Sequence, residues 1–115
     1  MHLFTFINGF DIIIKTNPVI HIYGDRNMDK YTILLADDEE DVIQVIIKKI
    51  NWEELGFSVI GYANNGVKAL EIIEELQPDV VMTDIKMPYM DGIELSNRIK
   101  AGFPATKILF FTGFD

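Results

Sequence analysis

Val80-Val81-Met82-Thr83-Asp84-Ile85-Lys86-Met87-Pro88, continued by Tyr89-Met90-Asp91-Gly92, is the stretch whose reading decides the fold. Its apolar head, between Pro78 and Pro88, is too short for a buried helix and suits a central strand covered on both faces. The run ends in a carboxylate and the chain then turns. Open α/β folds bind ligands outside the carboxyl ends of their strands, so Asp84 is expected at such an edge.

Outward from this stretch, strands and helices alternate. On its N-terminal side, Ala69, Ile72, Ile73 and Leu76 mark one face of a helix that stops at Gln77-Pro78 and starts from the turn and cap cluster Asn64-Asn65-Gly66. Phe57–Ala63 before it reads as a strand. Ile43, Ile46, Ile47 and Ile50 form the stripe of an earlier amphipathic helix, with Gln44, Lys48 and Lys49 off it. Ahead of that helix, Thr32–Ala36 is a β-branched and aliphatic strand running into Asp37-Asp38-Glu39-Glu40-Asp41. On the C-terminal side, Ile93–Lys100 reads as a shorter helix bearing Leu95 and Ile99, closed by Gly102-Phe103-Pro104, and Lys107–Thr112 as a fourth strand. Such alternation implies βαβ crossovers and a parallel α/β sheet with helices on both faces. Trp52, Phe57 and Tyr62 are read as packing residues.

With 115 residues, 49% of them apolar, the chain suffices for one core and one domain. It has no cysteine, which excludes disulfides and thiolate metal sites. A formal charge of −8 argues against nucleic-acid binding, which needs clustered Lys and Arg. Residues 1–27 stand apart. They balance Lys15 and Arg26 against Asp11 and Asp25, so the whole negative charge follows Met28. Leu3–Ile14 is apolar but shorter than the ~20 residues of a membrane span, and it lacks the basic start of a signal peptide. Phe6–Ile12 suits a hairpin about Asn8-Gly9. We read 1–27 as an N-terminal extension and 28–115 as the domain, with Met28 as the expected natural start. His2 and His21 have no partner spacing and are assigned no role.

In a parallel sheet all carboxyl ends open on one edge. Asp37 and Asp38 after the first strand of the domain, Asp84 after the third and Thr112 at the end of the fourth therefore converge. Three carboxylates together call for a cation. Hard oxygen ligands without His or Cys favour Mg²⁺, which pairs protein carboxylates with phosphate oxygens. A carboxylate at this edge suits phosphoryl transfer as a nucleophile. Asp84, ending the central strand, is the nucleophile; Asp37 and Asp38 hold the ion, and the Thr112 hydroxyl donates to a phosphoryl oxygen.

Leu34-Leu35-Ala36-Asp37-Asp38-Glu39, Trp52-Glu53-Glu54-Leu55-Gly56-Phe57, Asn64-Asn65-Gly66, Met82 to Pro88 with Asp91-Gly92, and Phe110-Phe111-Thr112-Gly113-Phe114-Asp115 together carry a resemblance. From Met28 to Asp115 the chain resembles the receiver domain of bacterial response regulators, in particular receivers attached to AraC-type DNA-binding regions. The resemblance implies a flavodoxin-like sheet and a cytoplasmic two-component phosphorelay in which Asp84 accepts a phosphoryl group from a sensor histidine kinase. It implies Mg²⁺ held by Asp37, Asp38, Asp84 and the backbone carbonyl of Lys86, with Thr112 as the switch hydroxyl and Pro88 and Gly92 shaping the turn. The role is that of a signalling domain regulating an output, transcription in the full-length protein, and not of an enzyme.

The chain departs from the family after Thr112, where the pattern continues with a helix, a fifth strand ending in Lys-Pro and a last helix. No lysine matches the one the family sets against the phosphoryl group. Without the last strand, the fourth is expected as an exposed apolar edge and a dimer site, unless Leu3–Ile14 covers it. Two other classes fit less well. An aspartate-nucleophile phosphatase needs Asp-x-Asp-x-Thr where this chain has Asp37-Asp38-Glu39-Glu40-Asp41, and a phosphorylation-independent pseudo-receiver is suggested by the missing lysine alone. Singly, the acidic run is an ordinary helix start, Asp84 a strand-end cap and Thr112 a structural hydroxyl. Their joint occurrence, with Pro88 four and Gly92 eight residues after Asp84, favours the site.

Overall fold

In the computed structural model the described residues are 2–7, 10–15 and 30–112, with side chains described for 30–110. They form β1 (His2–Ile7), β2 (Phe10–Lys15), β3 (Tyr31–Ala36), α1 (Glu40–Lys49), β4 (Phe57–Ala63), α2 (Gly66–Leu76), β5 (Val80–Thr83), α3 (Gly92–Gly102) and β6 (Lys107–Thr112). The strands make one sheet in the order β2-β1-β6-β5-β3-β4, and β4-β3-β5-β6 are parallel throughout. This four-stranded order with three helices is the flavodoxin-like arrangement. The chain reverses direction across the sheet between β3 and β5, so their carboxyl ends flank the topological switch point.

Alternation along the central strands splits the core into two layers. Ile33 and Leu35 of β3 and Val80 and Met82 of β5 pack with Ile43, Ile46 and Ile50 on one face, joined by Trp52, Phe57 and Leu109. Leu34, Ala36 and Val81 meet Ala69 and Ile73 of α2 and Leu95 and Ile99 of α3 on the other. β5, apolar from Val80 to Met82, is therefore buried on both sides, as the reading of this run as a central strand requires. Two expectations fail at the periphery. Leu76 is 50% exposed because the helix ends there, with Gln77 in a left-handed cap at φ 45°. Tyr62 points outward, its hydroxyl donating to Glu40 at 3.2 Å, so it is no core residue.

The edge expected to be open is occupied. β1 pairs antiparallel with β6 from His2↔Thr112 to Phe6↔Ile108, and β2 pairs antiparallel with β1 from His2↔Lys15 to Ile7↔Phe10. The exposed β6 edge and a dimer through it are thus corrected: β6 has a neighbour on both sides, because an apolar β-rich run paired with the nearest unpaired backbone groups. The expected turn residues Asn8 and Gly9 lie outside the described residues.

At the amino edge a polar clamp that pattern reading missed fixes strand register. The Asp79 carboxylate accepts from the Thr32 N–H at 2.8 Å and the Thr32 hydroxyl at 3.1 Å, while that hydroxyl accepts from the Asp79 N–H at 2.9 Å. The Asp79 carbonyl accepts from the Lys107 N–H at 2.9 Å, extending the tie to β6. Thr32→Val keeps the shape but removes the hydroxyl. We expect it to cost about 1–3 kcal/mol, read as a lower urea midpoint with unchanged slope.

Candidate functional site

Backbone bonds bring the acidic residues together before any side-chain preference acts. The Asp84 N–H donates to the Ala36 carbonyl at 2.8 Å, carrying the β3–β5 ladder one step past the end of β5. The Asp37 N–H donates to the Ala63 carbonyl at 3.0 Å and does the same for β3 and β4. Asp37, Asp38 and Asp84 consequently each place a carboxylate oxygen so that all lie within 4.8 Å of one another. Asp37 is buried at 4% exposure, Asp38 is exposed and Asp84 half-buried.

Burial pushes the Asp37 carboxyl up to about 6; the Glu39 N–H, which donates to it at 2.8 Å, offsets part of this, and the charges of Asp84 and Asp38 add to the rise. Asp84 accepts from the following N–H, that of Ile85, at 2.8 Å, which orients its carboxylate. Such a set of hard oxygens, mutually repelling and partly reachable from solvent, fits a small divalent cation.

The loop after Asp84 is held tightly. The fully buried Thr83 hydroxyl donates to the Asp84 carbonyl at 2.9 Å, a contact sequence reading did not single out; a hydroxyl residue closing an otherwise apolar strand just before Asp84 was the available signal. The Gly92 N–H donates to the Ile85 carbonyl at 2.8 Å. A Cβ on Gly92 would collide with the Asp84 carbonyl oxygen and stand 3.1 Å from its carbon. Gly66 faces Met90 in the same way, its Cβ position 2.7 Å from that of Met90, so α2 and the loop interlock. Tyr89 crosses the loop tip at φ 68°, 87% exposed.

Asp91 takes no part in the cluster. It caps α3, accepting from the Glu94 N–H at 2.8 Å, as Asn65 caps α2 by accepting from Lys68 at 2.9 Å. Lys86 lies exposed on the loop two residues past Asp84. Thr112 ends β6 at the same carboxyl edge, since Phe110 is in register with Thr83; its side chain lies outside the described residues. Lys107 opens β6 at the opposite edge. Among the described residues no helix is long and apolar enough to cross a membrane.

Known proteins resemble the chain over the same span. The family model described as the response regulator receiver domain matches residues 33–115. The transcriptional regulatory protein YesN of Bacillus subtilis is 46% identical over 84 residues, 73% of this chain and 23% of YesN. The response regulator receiver protein CpdR of Brucella abortus is 42% identical over 82 residues, 71% of this chain and 66% of CpdR. Among solved structures, the receiver domain of AraT from Geobacillus stearothermophilus superposes with a TM-score of 0.69 at 33% identity, covering 74% of this chain and 66% of that one. A two-component transcriptional regulator AraC from Clostridium phytofermentans does so with a TM-score of 0.69 at 37% identity, covering 75% and 67%. The chain spans less than a quarter of YesN's length. With an acidic cluster at the switch point of a four-stranded parallel sheet and a family match over most of its length, the chain belongs to the receiver domains of two-component response regulators.

Proposed function

We propose that this receiver is a cytoplasmic protein, phosphorylated on Asp84 by a sensor histidine kinase, and that it regulates an output, transcription in the full-length protein. The observation that carries the reading is the half-buried Asp84 carboxylate, anchored through its backbone to Ala36 and held within 4.8 Å of Asp37 and Asp38. An oxygen of Asp84 attacks the phosphorus of phosphohistidine; the P–N bond breaks, the imidazole leaves with the electron pair, and an aspartyl phosphate forms. Asp37, Asp38, Asp84 and the backbone carbonyl of Lys86 would hold Mg²⁺, which supplies neutralisation of the phosphoryl oxygens' charge. Thr83 and Gly92 fix the Asp84 backbone, so the nucleophile's position is set before a donor arrives. The Thr112 hydroxyl, at the end of the strand beside β5, is the group that turns toward the phosphoryl oxygens and biases the surface read by the output.

Incubation with acetyl phosphate and Mg²⁺ is expected to add one phosphoryl mass to the intact protein, with none added to Asp84→Asn or in excess chelator. An adduct that survives Asp84→Asn would overturn the assignment of the acceptor.

The raised Asp37 carboxyl gives two pH effects of defined sign. The fold binds this proton more tightly than the unfolded chain does, so the ion-free protein loses stability as pH rises from the usual carboxylate range to about 6, and no more above it. Thermal melts without Mg²⁺ should show this slope, on the order of 1–3 kcal/mol in total, and Asp37→Asn should abolish it. Bound Mg²⁺ needs the ionised carboxyl, so its affinity by calorimetry should fall as pH drops through about 6.

Gly92→Ala forces the Asp84 carbonyl to move. We expect a loss of about 1–3 kcal/mol in stability and of roughly tenfold to a hundredfold in the phosphorylation rate, with Ile93→Ala, on the exposed next residue, leaving both unchanged.

A further inference from the structure

Pairing of β1 with β6 transfers the sheet's open edge to β2. Among the described residues β2 has a neighbour on one side only, and its other backbone groups form an unpaired row, a template for another strand. The two outer edges of the sheet are not equivalent. At β4 the register with β3 shifts from Ile33↔Val59 to Leu34↔Gly61, so Ile60 is an extra residue that twists this edge. β2 runs in unbroken register with β1 through all six of its residues, Phe10-Asp11-Ile12-Ile13-Ile14-Lys15, with three consecutive β-branched positions at its centre.

The charges on β2 are arranged for self-pairing. Two copies brought together antiparallel about a two-fold axis through Ile13 place Ile12 opposite Ile14 and Asp11 opposite Lys15 of the second copy, twice over. Residues directly opposite share a face, so Asp11, Ile13 and Lys15 of one copy form a single stripe with Lys15, Ile13 and Asp11 of the other. Sliding the register by one residue sets Asp11 against Ile14 and Lys15 against Phe10 in one direction, and Lys15 against Ile12 in the other. Such a contact is isologous and closes after two copies, leaving no further edge at β2.

We propose that β2 is a dimerisation strand, joining two copies of this chain edge to edge into one continuous antiparallel junction centred on Ile13. The occupant of the edge is a second copy because the Asp11 and Lys15 pattern is complementary to itself.

Sedimentation velocity on the full chain, over a concentration series at low and high salt, tests this. We expect a concentration-dependent dimer. Asp11→Lys and Lys15→Asp each set like charges opposite one another and should weaken it about tenfold, whereas the double variant Asp11→Lys/Lys15→Asp should restore wild-type affinity. The chain has no native cysteine, so single cysteines report the register. Ile13→Cys places two thiols opposite each other across the axis and should oxidise to a covalent dimer. Ile12→Cys leaves its two copies beyond the ~7 Å Cα separation that a disulfide spans, and should not. A chain that stays monomeric while folded, a double variant as weak as the single ones, or equal cross-linking at positions 12 and 13 would each overturn the proposal.

Discussion

Carboxylates a few ångströms apart repel by a few kcal/mol per pair in a protein environment, and the site of this protein consists of keeping three of them there. What opposes the repulsion is not a side-chain partner but the sheet. The Asp37 and Asp84 N–H groups extend the ladders of β3 and β5 past the strand ends, to the Ala63 and Ala36 carbonyls. Those bonds adjoin the most buried part of the domain, where Leu34, Leu35, Val81 and Met82 are fully enclosed, so the backbone beneath the cluster is held in place. Burial first, and the charges of Asp84 and Asp38 to a lesser degree, raise the Asp37 carboxyl.

The same strands impose a demand on the loop that follows. Asp84 is useful only if its backbone stays put, and two neighbours hold it, Thr83 through its hydroxyl and Gly92 through the absence of a Cβ. Gly66 and Met90 extend this contact to α2. The site is thus built from close backbone approach on one side and helix packing on the other, and polar caps such as Asp91 and Asn65 serve the helices and not the chemistry.

On the far side of the sheet the constraint is the edge of β6. Its backbone groups, exposed, would have to find a strand, and in this chain β1 supplies it in antiparallel register, with His2 beside Thr112 at the site's edge. Among the described residues the outer edge then falls at β2, and an apolar N-terminal segment that patterning sets apart from the domain joins its sheet.

By itself the sequence determined the four parallel strands, their three helices and the residues at the carboxyl edge. Each of these follows from local pattern: the period of the isoleucines at 43, 46, 47 and 50, the apolar run at 80–82, and the punctuation by Pro78, Pro88, Asn65 and Gly92. The motif spacing was enough to bring Asp37, Asp38 and Asp84 together, because parallel strands have only one carboxyl edge on which to meet. Thr32 and Asp79 as a clamp, Thr83 as an anchor and the outward Tyr62 were decided by tertiary structure, since each depends on a partner far away in the chain or on an orientation that composition does not encode. The pairing of β1 with β6 was decided there too. Strand order is a long-range choice among edges, and local propensity specifies a strand without specifying its neighbour.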